Sequence, residues 1–225
     1  MSMRLLWIIA VSIGAIAALM PAPAAEPQED SSALQKDPTG WIDLLAGKDL
    51  NHWKRVPIPP GSPLKSKNPW SLDPNTHELV CDGADIHEML LYEEPFDDGI
   101  FHVEWRFKKI EGRQGYNSGV YVRTADDGAI WHQAQVGNRN VGYLFGNTLV
   151  QGKPQRVKID DKKPQRGKEA GEWNTYEVTC KGPHMTLWIN GAVTATWDQC
   201  HVPKGHVGLE AEGWYIEFRN VNFKR

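Results

Sequence analysis

Glu210 and Glu212 stand two residues apart in GLEAEGW, a spacing that puts both carboxylates on one face of an extended strand. So placed, they serve as general base and acid or as ligands for a divalent cation; the alternative is two solvated charges beside a turn. His132, in Trp131-His132-Gln133, and His102 carry the side chain whose ordinary pKa suits proton transfer near neutrality, unless each is simply a satisfied or surface histidine. Arg123 offers a permanent charge and a rigid fork of donors, suited to a ligand oxygen. Glu104, expected on an adjacent strand, either orients that guanidinium or only pairs with it structurally. Asn117, Tyr121, Gln133, Gln135, Asn138 and Tyr143 match sugar hydroxyls, with Trp131 or Trp214 as a flat platform for a pyranose. A metal site from His132, Glu104 and Glu210 is chemically reasonable, though no spacing demands one.

Extended segments must position these groups. In FHVEWRFK, Phe101, Val103, Trp105 and Phe107 face one way while His102, Glu104, Arg106 and Lys108 face the other. In NSGVYVR, Val120 and Val122 join the apolar set, and Tyr121 and Arg123 the polar one. The expectation is one sheet face that gathers a carboxylate, a guanidinium and aromatic rings. Strict alternation also sends His132 and Gln133 to opposite faces, so only one of them lines the same site without a bulge. Asn117-Ser118-Gly119 reads equally as turn chemistry.

The rest of the chain is short strands and turns. WIDLL, HWKRV and ELVCD precede the central pair, with residues 57–69 a Pro/Gly/Ser-rich loop; strands over 131–136 and 141–145 follow. WNTYEVTC, MTLWI and AVTATW form a meander whose Asn190-Gly191 is a strong hairpin signal. Residues 151–172, charged and carrying two prolines, read as a solvated excursion or, less simply, a lid. No repeats and no amphipathic helix longer than two turns are apparent, so the fold class is all-β: a two-sheet antiparallel jelly-roll sandwich.

Composition narrows the function. Residues 1–25 have a basic start at Arg4, an apolar run over Leu5 to Met20 and an Ala-Pro-Ala cleavage site, the pattern of an export signal, which implies a secreted or periplasmic protein. Residues 26–39 read as a disordered lead-in, and 40–225 as one domain. A net charge of −3 without a Lys/Arg cluster among aromatics excludes nucleic acid as a partner, and no membrane partner is expected once the signal is removed. Cys81, Cys180 and Cys200 allow at most one internal bridge, and buried free thiols are the plainer reading. Ten tryptophans, nine of them outside the signal segment, exceed the ordinary needs of such a core, which leaves some as ligand platforms.

GWIDLLAGKDLNHWK, EWRFKK, NSGVYVR, GEWNTYEVTCKG, LWINGAV and IEFRNVNFK, in this order, resemble the 3-keto-disaccharide hydrolase domain family over 40–225. The resemblance implies a concanavalin A-like sandwich in an exported bacterial protein acting on an oligosaccharide or glycoside. The implied chemistry is loss of the C2 proton beside a C3 ketone, expulsion of the aglycone, and hydration. The family usually carries Glu-x-Gln-x-x-Asp after the NSG-R block. Here Gln133 and Asn138 stand at the carboxylate positions and Gln135 is kept. Carboxamides bind hydroxyls but do not exchange protons near neutral pH, so a non-catalytic glycan-binding module on the same sandwich is the rival reading. An endoglucanase of the laminarinase type is disfavoured because no strand carries Glu-x-Asp-x-x-Glu.

Overall fold

The computed structural model describes residues 30–83, 85–139, 141–159 and 166–225; the expected signal segment lies outside them. The first strands are β1 (Ile42–Asp43), β2 (Trp53–Pro57), β3 (Trp70–Leu72), β4 (Leu79–Asp82) and β5 (His87–Tyr92). The middle of the chain forms β6 (Gly99–Phe107), β7 (Asn117–Thr124), β8 (Trp131–Gly137), β9 (Leu144–Val150) and β10 (Lys153–Ile159). The last third forms β11 (Asn174–Lys181), β12 (His184–Ile189), β13 (Ala192–Trp197), β14 (His206–Glu212) and β15 (Tyr215–Lys224).

The strands build two antiparallel sheets. The first runs β13-β12-β11-β6-β15-β4-β3 with β1 beside β15; the second runs β10-β9-β8-β7-β14-β5-β2. Their inner faces interlock Phe101, Val103, Trp105 and Phe107 of β6 with Val120 and Val122 of β7, and Ala134 and Val136 of β8. The apolar half of each alternating strand is therefore the core half, as the period-2 pattern requires. The meander β11-β12-β13 forms as expected, with Asn190 and Gly191 at φ +42° and +103° in its turn. Cys81, Cys180 and Cys200 are buried free thiols.

Three expectations are corrected. Strands β6 and β7, expected side by side, belong to opposite sheets: β6 pairs with β11 and β15, β7 with β8 and β14. The segment between them is the crossover, anchored where Tyr116 Oη accepts from the Ile110 amide at 2.8 Å. Alternation gives each strand's faces but not which sheet it joins. Residues 151–159 are no solvated excursion: β10 pairs along its whole length with β9 through the Gln151-Gly152 turn. Within the lead-in, α1 (Ala33–Lys36) forms a turn with a capping box on Ser32 and Gln35. It docks by donating the amides of Ala33 and Leu34 to Glu177 at 2.8 and 3.2 Å.

Candidate functional site

The second sheet is hollowed on its outer face into a cavity of about 590 Å³. The pleat decides what lines it. On β8, Trp131, Gln133 and Gln135 point into the hollow while Ala134 and Val136 point to the core. On β7, Asn117 and Tyr121 line it, and Gly119 lies between them in the same row. On β14, Glu210 and Glu212 share that face. Register then sets neighbours: Tyr121 lies opposite Gln133, and Glu212 opposite His87 of β5.

Glu210 is the buried centre of the polar set, with 3% of its surface exposed. Its Oε1 accepts from Tyr121 Oη at 2.8 Å and lies 3.2 Å from His87 Nε2. Its Oε2 accepts from Gln133 Nε2 at 2.9 Å. A Cβ on Gly119 would come within 2.2 Å of Gln133 Nε2 and 2.7 Å of Glu210 Oε2. The backbone must be bare there for those two side chains to meet, so Asn117-Ser118-Gly119 is strand, not turn. Gln135 donates to Asn117 Oδ1 at 2.6 Å, which fixes the next row.

The charges in this cluster are coupled. The hydrogen bond to Glu210 raises the pKa of His87, against the opposing effect of partial burial. Burial, and then the negative charge of Glu210, raise the pKa of Glu212; His87 and a hydrogen bond from Asn117 act the other way. Complete burial and the Glu210 carboxylate push the Tyr121 phenol well above its ordinary value, so it stays a donor. One donor atom from each of His87, Glu210 and Glu212 lies within 4.8 Å of the others. Imidazole plus two carboxylates is an ordinary donor set for a divalent cation, and a cation there would relieve the repulsion felt by Glu212.

The other end of the hollow is aromatic and cationic. Trp131 packs edge to face on Tyr121 and on Phe145 of β9. The Arg156 guanidinium of β10 lies over Trp131 at 4.3 Å and Phe145 at 4.8 Å, and Lys158 Nζ over Tyr143 at 4.2 Å.

Of the residues singled out from sequence, the hollow brings together Glu210, Glu212, Asn117, Tyr121, Trp131, Gln133, Gln135 and Tyr143. It does not include six others; one of them, His102, is buried on the first sheet with Nδ1 2.9 Å from Glu177 Oε1. Arg123 takes φ +47° where the β7–β14 register shifts, and this bulge turns its side chain away from the hollow. There it is buried, donating to Asp98 at 2.9 Å and to the Gly182 carbonyl at 2.7 Å. His132 faces inward against Thr148 Oγ1 at 2.8 Å and Cys200 Sγ at 3.4 Å, and burial lowers its pKa to about 4. Glu104 lies on the outer face of the first sheet, bonded to Arg219 at 2.7 Å and Asn220 at 2.9 Å. The set His132, Glu104 and Glu210 therefore cannot share a cation. Asn138 accepts from the Ala170 amide at 3.1 Å, and Trp214 stacks on Tyr116 at 4.5 Å, both away from the hollow.

Sequence reasoning missed His87, Arg156 and Lys158. His87 opens HEMLLY, where Leu90 faces the core, Met89 lines the hollow, Leu91 is buried beside it, and no alternation marks the polar face. Arg156 and Lys158 were legible in Arg-Val-Lys-Ile, a period-2 pattern submerged in a charged stretch.

No curated protein matches the chain. A putative glycosyl hydrolase from Parabacteroides distasonis superposes with a TM-score of 0.59 at 16% identity, over 88% of this chain and 99% of that one. The carbohydrate-binding module CBM66 from Bacillus subtilis gives 0.55 at 13%, over 77% and 96%. A β-glucanase from Bacillus licheniformis gives 0.54 at 12%, over 83% and 98%. At such identities these likenesses establish the fold, a concanavalin A-like sandwich. The family model for the 3-keto-alpha-glucoside-1,2-lyase-like domain matches residues 40–224, and the chain belongs to that family.

Proposed function

We propose that the hollow binds a 3-oxo-glycoside and cleaves it by elimination and hydration. The observation that carries this reading is the trio His87, Glu210 and Glu212, whose proton-bearing atoms gather within 4.8 Å in an open hollow floored by hydroxyl-matching amides. Glu210 is not free to act as a nucleophile, because both oxygens already accept from protein donors. An ordinary glycosidase needs two carboxyls that flank the scissile bond; here one of the two is committed to holding the other groups.

Glu212, rimmed by solvent and with a raised pKa, takes the C2 proton. The C–H electron pair forms the enolate at C3, whose oxygen meets the protonated imidazole of His87, held by Glu210. The enolate pair then forms the C1–C2 double bond as the C1–O bond breaks, and the proton on Glu212 is available to the departing oxygen. Water adds across the double bond, hydroxyl to C1 and proton to C2, giving the free 3-oxo-sugar. If His87, Glu210 and Glu212 instead held a divalent cation, the cation would supply Lewis-acid stabilisation of the enolate oxygen in place of the imidazolium, and the three side chains would act as its ligands. Trp131 and Tyr143 serve as the apolar walls for the ring faces. The export signal read in residues 1–25 fits work on external glycans.

The test is incubation with a chromogenic 3-oxo-glucoside and its unoxidised parent, with chelator and with added divalent metal. The expected result is release from the 3-oxo compound alone; release from the parent alone overturns the ketone requirement. The amides Gln133 and Gln135 favour a second reading, a glycan-binding module without catalysis. Sugar binding with release from neither compound would establish it.

A further inference from the structure

Four arginines among the described residues lie over aromatic rings, and three of them also hold a carboxylate. Arg106 covers Trp173 and pairs with Glu217, Arg219 covers the same ring and pairs with Glu104, and Arg225 covers Phe96 and pairs with Glu94. Arg156 is the exception. Its guanidinium lies against two rings, Trp131 at 4.3 Å and Phe145 at 4.8 Å, yet among the described residues no carboxylate or carbonyl accepts from it. It is exposed and lines the hollow beside Lys158. A planar fork packed against two rings at the edge of the hollow, and without an anion, is the arrangement that recognises a carboxylate or a sulfate in two-point fashion.

Its distance from the carboxylates decides where that anion can sit. Strand β10 is separated from β14 by β9, β8 and β7, but the Arg156 side chain reaches back over Trp131 of β8. About two strand spacings, roughly 10 Å, then separate the guanidinium from the Glu210–Glu212 strand. That is the span of a disaccharide. An anion on the sugar next to the reacting one meets Arg156 while staying clear of Glu210 and Glu212.

We propose that the hollow selects glycans carrying an anionic substituent, a hexuronate carboxylate or a sulfate ester, and that Arg156 determines this specificity. The proposal rests on the reading of the hollow as a sugar site, but not on elimination chemistry. Equilibrium binding distinguishes the two. The full protein is titrated with a neutral disaccharide, its hexuronate counterpart and its sulfated counterpart, at low and at moderate salt.

The expected result is at least one anionic ligand bound about tenfold tighter than the neutral one, a margin that shrinks as salt rises. Arg156→Gln reduces the margin below about twofold, the step expected when one charge-assisted contact is lost. Lys153→Gln removes the same charge from the other face of the same strand and keeps the margin. Which anionic ligand shows it identifies carboxylate or sulfate. Equal affinity for neutral and anionic ligands, or a margin that survives Arg156→Gln, overturns the proposal. Whether 3-oxo-glycosides are cleaved is measured separately and bears only on the mechanism.

Discussion

Tyr121 donates its hydroxyl to Oε1 of Glu210 at 2.8 Å, from the strand beside the one that carries the carboxylate. The bond is buried, and it commits one Glu210 oxygen to a protein donor. Tyr121→Phe keeps the ring against Trp131 but leaves Oε1 with His87 alone. The expected cost is about 1–2 kcal/mol of stability, because a buried acceptor loses one of its partners. Urea denaturation measures it, and an unchanged midpoint would mean that the phenol contributes nothing to holding the carboxylate.

Gly119 should be intolerant of the smallest side chain. A methyl there would occupy the space of the Gln133 amide and push it off Glu210. Gly119→Ala is therefore expected to lower turnover at least tenfold while the sandwich still folds, since the displaced groups lie on the hollow and not in the core. Far-ultraviolet dichroism together with the 3-oxo-glucoside assay separates the outcomes. Full activity in Gly119→Ala would show that the Gln133–Glu210 contact is dispensable.

Proton traffic at the site should follow the coupled shifts of Glu212 and His87. Both pKa values are raised, so the native state holds each proton more tightly than the unfolded chain does. The stability contributed by Glu212 is complete below its ordinary 4.5 and fades as pH rises through its elevated value; that of His87 is complete below 6.5 and fades above it. Activity requires Glu212 ionised and His87 protonated, which gives a bell in kcat/KM. Its acid limb should lie above 4.5 and its alkaline limb above 6.5. Glu212→Gln should reduce kcat by about 10²–10⁴, the usual worth of a general base. A flat profile would remove both groups from proton transfer, and an active Glu212→Gln variant would remove Glu212.

The alternation of Trp131, Gln133 and Gln135, and the spacing of Glu210 and Glu212, were legible because each depends only on one strand's pleat. The expected convergence of Glu104 with Arg123 fails, because it needed two consecutive strands to share a sheet, and the chain crosses between sheets over residues 108–116. The diversion of Arg123 rests on a bulge that only the pairing with β14 reveals. His87 stayed hidden for a different reason: β5 is covered on both sides, so its residues lack the polar-apolar beat. The sandwich itself was readable, since many short alternating strands and an Asn-Gly hairpin require no knowledge of strand order.

Arg123, buried on Asp98 and Gly182, is expected to matter for folding. Arg123→Ala leaves a void, strips the Gly182 carbonyl of its donor and leaves Asp98 with the Gly182 amide alone, a loss of about 3 kcal/mol. The activity of the folded fraction should change little. Lost turnover at unchanged stability would instead return Arg123 to the chemistry.

The outer face of the first sheet carries a second proton-dependent contact. His102 Nδ1 lies 2.9 Å from Glu177 Oε1 and its Nε2 lies 3.9 Å from Glu104, while Trp41 meets the ring edge-on. Burial disfavours the charge on His102, yet Glu104 and Glu177 together outweigh it and raise the pKa. Glu177 also accepts the amides of α1, so the imidazolium fixes the carboxylate that holds the chain's first described turn. The contribution is complete below the ordinary 6.5 and is lost as pH rises through the elevated value. Limited proteolysis of residues 30–37 should therefore accelerate at alkaline pH, and Glu177→Gln should make it fast at every pH. Cleavage at one rate from acid to alkali in the unaltered protein would show that α1 is held by packing alone.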